Sequence, residues 1–256
     1  MCKAELLLVV CLAFLRPLVV EAVYGVDVSQ PCSPDGWKCL KSNGYTFGVV
    51  RVFMRYEKML FWSVVHVWRI SYDDFRSTGA VDPNGVHTVY NAWDGGMEHV
   101  DVYMFPCPKC GNPAGQVNTM MSYLSQYKAK FGMVWLDIEG TQYWGSVSSN
   151  VAFFAGLISE LKAHGVSIGE LRNGTFAGVY TSASQWEPIM GSSTAGSPYP
   201  LWYAHYDGNP SFSDFRAFGG WTKPNIKQFN DRGEPRACQM LGGPNCGCGI
   251  DLNWYP

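Results

Sequence analysis

Short apolar runs, each bounded by glycine, proline or polar turn residues, recur along most of this 256-residue chain. Residues 23–29 alternate apolar and polar side chains up to Pro31, the pattern of a half-buried strand. Further strands are predicted at 47–52, 100–105, 133–140, 177–180, 201–206, 226–229 and 250–254, eight in all. Between several of them the apolar period lengthens to that of a helix. Val117, Met120, Met121 and Leu124 predict a helix over 116–127. Phe153, Phe154, Leu157, Ile158 and Leu161 predict another over 151–164, capped at Ser149 or Asn150 and stopped at Gly165. A short helix over 86–92 is closed by Gly95 and Gly96. Strands alternating with helices imply parallel crossovers, and eight parallel strands close most naturally into a barrel with its chemistry at the strands' C-terminal ends. The predicted fold is α/β, a TIM-like barrel in a single domain, which suits this length.

The strand at 133–140 is unusual among these. Val134, Trp135, Leu136 and Ile138 read as a strand buried on both faces, between Gly132 and Gly140, yet the run contains Asp137 and Glu139. Side chains two apart in a strand share a face, so the two carboxylates stand side by side, roughly 7 Å apart. Neighbouring carboxylates do not ionise independently, and one is driven to hold its proton near neutral pH. An acid beside an anionic carboxylate is what glycosidic cleavage requires. Alone, an Asp-x-Glu pair is a short, common pattern that also marks a solvated strand end. Its apolar lead-in distinguishes this one, because burying two carboxylates costs several kcal/mol unless they are paired or used. Asp27 and Asp251 are also read as lying late in their strands, so four acidic residues are expected to meet at one mouth of the barrel.

Charge and composition narrow the partners. The formal net charge is −2 with 16% charged residues, which leaves neither a basic footprint for nucleic acid nor a polybasic membrane patch. The aromatic share is 15%, with ten Trp and fourteen Tyr, as suits a surface that stacks on sugar rings as well as a Trp-rich core. Tyr103, Tyr180, Trp202 and Tyr203, all on predicted strands, are the candidate substrate-binding aromatics. Residues 1–22 read as a secretory signal, with Lys3, an apolar run from Leu6 to Leu15 and small Ala22 at its end; Arg16 interrupts the run and argues against a membrane anchor. The mature domain is then 23–256, secreted, with no membrane span. It keeps seven cysteines, at 32, 39, 107, 110, 238, 246 and 248, and an oxidising compartment favours disulfides among them, with at least one cysteine left over. Cys107, Cys110, Cys246 and Cys248 also admit a zinc site, although the spacing is loose and no histidine stands beside them. No metal or other cofactor is expected.

Four stretches together, 24–29, 133–140, 178–182 and 249–254, resemble the glycoside hydrolase family 25 lysozymes, the Chalaropsis-type muramidases, and in particular their secreted branch in nematodes and amoebae. The resemblance covers nearly the whole mature chain in the right order. It implies a flattened β/α barrel that cleaves the β-1,4 bond between N-acetylmuramic acid and N-acetylglucosamine in bacterial peptidoglycan, for antibacterial defence or digestion of bacteria. It also implies that Glu139 is the general acid, Asp137 its partner on the same strand, and Asp27 and Asp251 the other two acidic residues of the groove. The protein would act as a monomer. A chitinase-like series of aspartates is absent, since Met133 and Trp135 precede Asp137. The alternative is a secreted glycan-binding protein that keeps the barrel without turnover, or a structural or signalling domain. Three insertions depart from the family, near 53–75, 170–176 and 231–245, and read either as surface loops or as retained intron sequence. The second holds the glycosylation sequon Asn173-Gly174-Thr175, and the third holds Cys238, the candidate for the odd cysteine.

Overall fold

A computed structural model describes residues 22–55, 79–167, 175–231, 238 and 250–256. Most of the predicted signal segment, most of the three predicted insertions, and Asn173 and Gly174 of the sequon lie outside these residues. The strands, in chain order, are β1 (Val23–Val28), β2 (Tyr45–Met54), β3 (Ala80–Val81), β4 (His99–Met104), β5 (Met133–Asp137), β6 (Phe176–Thr181), β7 (Leu201–Ala204), β8 (Ile226–Asn230) and β9 (Ile250–Tyr255). They form one sheet in the order β1-β9-β8-β7-β6-β5-β4-β2-β3, and an additional β1–β2 pairing closes the first eight of that order, all but β3, into a barrel. The expected α/β barrel is thus present, with two differences in its sheet.

First, β9 is not parallel: it runs antiparallel to both β1 and β8. Asp251 is therefore the second residue of its strand, not a late one. Because the strand is reversed, its beginning lies at the same mouth as the ends of the parallel strands, and Asp27 sits directly across from Asp251 in the β1–β9 register. Second, β2 continues through Phe53 and Met54, which pair with Val81 and Ala80 of β3. Those two residues belong to the sheet and not to the insertion drawn at 53–75.

Among the described residues five α-helices cover the outside: α1 (Pro34–Ser42), α2 (Gly85–Asp94), α3 (Pro113–Gln126), α4 (Val147–Ala163) and α5 (Ala183–Met190). Sequence periodicity finds α2, α3 and α4 but misses α1 and α5, which are too short for a full apolar stripe. For α1 the end signals were available: Ser33 caps it by accepting from the Gly36 amide, Pro34 opens it and Asp35 stands in its first turn. The cap of α4 is Ser146, which accepts from the Ser149 amide at 3.3 Å, so the helix starts one turn earlier than predicted. Among the described residues no helix is long and apolar enough to cross a membrane.

Alternation along each strand sorts the core into two layers. Val26, Val50, Val102, Leu136, Val179 and Leu201 point outward and pack beneath the helices with Trp37, Phe154, Leu157 and Trp186. Phe47, Val49, Tyr103, Trp135, Tyr180, Trp202 and Ile226 point inward and fill the barrel. Burying the outer layer under helices is the main stabilising term, at about 25 cal/mol for each Å² of apolar surface removed from water. The inner layer is aromatic, with Trp202 edge-on to Trp135 and Tyr180 at centroid distances of 5.7 and 4.6 Å. Room for the Trp135 indole comes from Gly178 on the next strand, where a β-carbon would lie 2.3 Å from the ring.

Disulfides link Cys39 to Cys238 and Cys107 to Cys110, and Cys32 is also disulfide-bonded. Cys238 is accordingly not the odd cysteine. The Cys107–Cys110 bond excludes a zinc site built on that pair.

Candidate active site

β5 ends at Asp137, and the chain then turns sharply. Ile138 donates its amide to the Tyr180 carbonyl at 2.9 Å, so it still rides on β6, and its side chain is fully buried outward. Glu139 follows on the inward side. Gly140 adopts a φ of +72°, and a β-carbon there would strike the Tyr143 ring at 2.4 Å. The turn is held by the Gly140 amide donating to Gln185 Oε1 at 2.8 Å and the Trp144 indole donating to the Glu139 carbonyl at 2.8 Å. Glu139 is thus projected from a braced corner.

At that mouth Asp27, Asp137, Glu139 and Asp251 line one pocket, together with Tyr103, Tyr180, Trp202, Tyr206 and Gln228. Its volume of about 90 Å³ exceeds what one water requires and suits a polar substituent of a larger ligand. Asp27 is held by two amides: Gln228 Nε2 donates to its Oδ1 at 2.8 Å and Asn253 Nδ2 to the same oxygen at 2.7 Å. Gln228 also reaches Asp251 Oδ2 at 3.3 Å. The Asn253 amide cannot flip, because the Trp202 indole, a donor only, donates to its Oδ1 at 2.7 Å. Asp137 differs: its Oδ1 is buried and has no hydrogen-bond partner in the protein.

Burial drives all four carboxyls toward the protonated form. Asp27 is pushed well up by desolvation and then by the Asp251 charge, against the pull of its two amide donors. Asp137 is pushed well up by desolvation, then by Glu139 and Asp27, while the Arg51 guanidinium opposes this. Glu139 is raised by desolvation, and Asp251 rises to about 6 through desolvation, then Asp231 and Glu139. Four negative charges cannot share so dry a site, so the cluster as a whole keeps protons near neutrality. Arg51 is fixed beside the cluster by Asp82, with its Nε 3.0 Å and an Nη 2.9 Å from the same carboxylate oxygen.

Seven of the eight sequence-predicted site residues line this pocket, and Tyr203 does not. It alternates with Trp202, so it faces outward, packs edge-on to Phe215 at 5.2 Å and donates its hydroxyl to Asp214 at 3.0 Å. Tyr206, Gln228 and Asn253 are pocket or support residues that the sequence reading missed. Parity would have found them: Tyr206 keeps phase with Trp202, Gln228 with Ile226, and Asn253 with Asp251. His205, Asp207 and Asp214 are close enough to ligate a cation, with candidate ligand atoms within 4.8 Å of one another. The Lys227 ammonium already sits on Asp207 at 2.9 Å and Asp214 at 2.7 Å and takes that role.

The family model described as Lysozyme-like protein 1 matches residues 19–229. Probable GH family 25 lysozyme 2 of Dictyostelium discoideum is 52% identical over 238 residues, 93% of each chain. Lysozyme-like protein 5 of Caenorhabditis elegans is 32% identical over 93% of this chain and 94% of its own. Among solved structures, the muramidase from Acremonium alcalophilum superposes with a TM-score of 0.61 over 91% of this chain and 93% of its own, at 18% identity, a likeness of fold. With the acidic pocket at the barrel mouth and these relatives over nearly its whole length, the chain is a glycoside hydrolase and belongs to the family 25 lysozymes.

Proposed function

We propose that this protein is a secreted, monomeric muramidase that hydrolyses the β-1,4 bond between N-acetylmuramic acid and N-acetylglucosamine in bacterial peptidoglycan, in defence against bacteria or in their digestion. The observation that carries the reading is the convergence of Glu139 and Asp137 with two further carboxyls in one pocket. Glu139, its proton retained by burial, protonates the leaving oxygen. Asp137 precedes it by two residues, too near to place a water on the far face of the sugar as a widely separated inverting pair does. Its unpartnered Oδ1 is instead an acceptor for the N–H of the substrate's own 2-acetamido group, whose oxygen attacks the anomeric carbon. Desolvation and the neighbouring Glu139 and Asp27 push Asp137 toward its protonated form, and the Arg51 charge opposes them in the direction this role needs. Asp27 and Asp251 tune the pair and position sugar or water, and Tyr103, Tyr180 and Trp202 shape the pocket floor. Disulfides at Cys39–Cys238 and Cys107–Cys110 support export to an oxidising compartment.

The test is loss of turbidity of a bacterial cell-wall suspension. Purified protein should clear it, and Glu139→Gln should lose at least about a thousandfold in rate, the scale of removing a general acid, while still sedimenting with the walls. Equal, negligible clearing by both proteins with intact wall binding would instead identify a glycan-binding protein without turnover.

A further inference from the structure

The mechanism makes no use of the most thoroughly buried charge in the described structure. Lys227 on β8 points outward, is 0% exposed, and spends its three ammonium protons on three acceptors: Asp207 Oδ2 at 2.9 Å, Asp214 Oδ1 at 2.7 Å and the Ser211 carbonyl at 3.0 Å. All three belong to the segment that follows β7. Asp214 also receives the Tyr203 hydroxyl at 3.0 Å and has His205 Nδ1 at 2.5 Å. Burial raises Asp214, but the bonds from Lys227, His205 and Tyr203 outweigh it and hold the carboxyl at about 2, so Asp214 stays anionic at any pH relevant to lysis. The backbone is pinned as well, by the His205 amide on the Gln228 carbonyl at 3.0 Å and the Gly208 amide on the Phe229 carbonyl at 2.9 Å. Between the clamped His205 and Asp207 lies Tyr206, 45% exposed and lining the pocket.

Hydrogen-bond direction assigns Tyr206 a specific chemistry. Gln228 turns its NH2 group to Asp27 and Asp251, so its Oε1 must face Tyr180, whose hydroxyl donates to it at 2.6 Å. With that proton committed, the 2.9 Å contact between the Tyr180 and Tyr206 hydroxyls needs Tyr206 as donor. Tyr206 then has only lone pairs left to offer to the pocket.

We propose that Tyr206 is a substrate-binding residue whose hydroxyl oxygen accepts a hydrogen bond from a sugar O–H or acetamido N–H, and that Lys227, acting through Asp207 and Asp214, is the positioning residue that holds it there. The proposal rests on the glycan-hydrolase reading. It is tested in the full chain carrying Glu139→Gln, which prevents turnover, by calorimetric titration with a soluble oligomer of alternating N-acetylglucosamine and N-acetylmuramic acid. Adding Tyr206→Phe should weaken binding about tenfold, the scale of one hydrogen bond in a dry site. Lys227→Met should weaken it by a similar factor, and the Lys227→Met/Tyr206→Phe pair should be no weaker than either alone, because both remove the same contact. A purely structural Lys227 would instead give effects that multiply. Thermal melts accompany each variant, and Asp207→Asn replaces Lys227→Met should the latter not fold. Binding within twofold of the parent for Tyr206→Phe, or multiplying effects in the pair, overturns the proposal, as does a parent that does not bind the oligomer. If the parent binds but the protein with Glu139 intact releases no reducing ends, only the muramidase reading falls.

Discussion

Asp251→Asn should make the protein more stable at neutral pH while impairing it as an enzyme. Asp251 rises from the ordinary aspartate value of 3.8 to about 6 when the barrel closes over it. Between those two pH values the folded protein binds a proton that the unfolded chain has released, so stability falls as pH rises and levels off above about 6. The full penalty for ionising this one group is about 3 kcal/mol, and the open side of the pocket screens it to roughly two thirds of that, or about 2 kcal/mol. Asparagine carries no charge, keeps an oxygen for Gln228, and relieves Asp27, which the Asp251 charge pushes upward. Urea unfolding at about pH 4, 5, 6 and 7.5 measures this directly. Wild type and variant should agree near the acid end, diverge through pH 4 to 6, and differ by about 2 kcal/mol at pH 7.5 with the variant ahead. Reduced wall clearing by the same variant would mark the stability given up for function. Parallel pH profiles, or a variant less stable than wild type at pH 7.5, would refute the reasoning that desolvation dominates this carboxyl.

Other consequences can be checked with simpler measurements. Gly178→Ala places a methyl 2.3 Å from the Trp135 ring in a filled barrel, and should cost about 1–3 kcal/mol in a thermal melt; an unchanged melt would show that the inner layer can shift. Replacing Cys238 and Cys39 with serine opens a cross-link between residues 199 apart in sequence, and should cost about 2–4 kcal/mol in denaturant. Proton NMR of the first sugar released should show the β anomer, since attack by the substrate's acetamido oxygen followed by water inverts twice; an initial α product would exclude that route.

What could be read from the chain before folding followed from periodicity, and what could not followed from direction. The apolar spacing of 153–161 and the alternation of 23–28 each have one physical solution, so helix α4 and strand β1 were legible. The Asp137–Glu139 pair was legible because an apolar run has little reason to contain two carboxylates. Tyr203 shows where attention to residue type misleads: an aromatic residue at the end of a barrel strand suggests a sugar platform, yet its phase against Trp202 sends it to the outer layer, where it serves Asp214.

Asp251 is more instructive, because two misreadings cancelled. It was placed late in a parallel strand, whereas it stands early in a reversed one. Which mouth of a barrel a residue occupies depends on its position along the strand together with the strand's direction, and a six-residue run carries no local mark of direction. Direction is set by the connection before it, here the segment from 232 to 249, of which only Cys238 is described. The register is nevertheless strongly constrained from inside: Asp251, Asn253 and Tyr255 must share the inward face, and Asn253 must meet both the Trp202 indole and Asp27. Slipping β9 by one residue would turn Leu252 into the acidic pocket and Asn253 under the apolar outer layer, leaving the indole and Asp27 without their partner. The carboxylate cluster therefore takes part in specifying the strand that completes it.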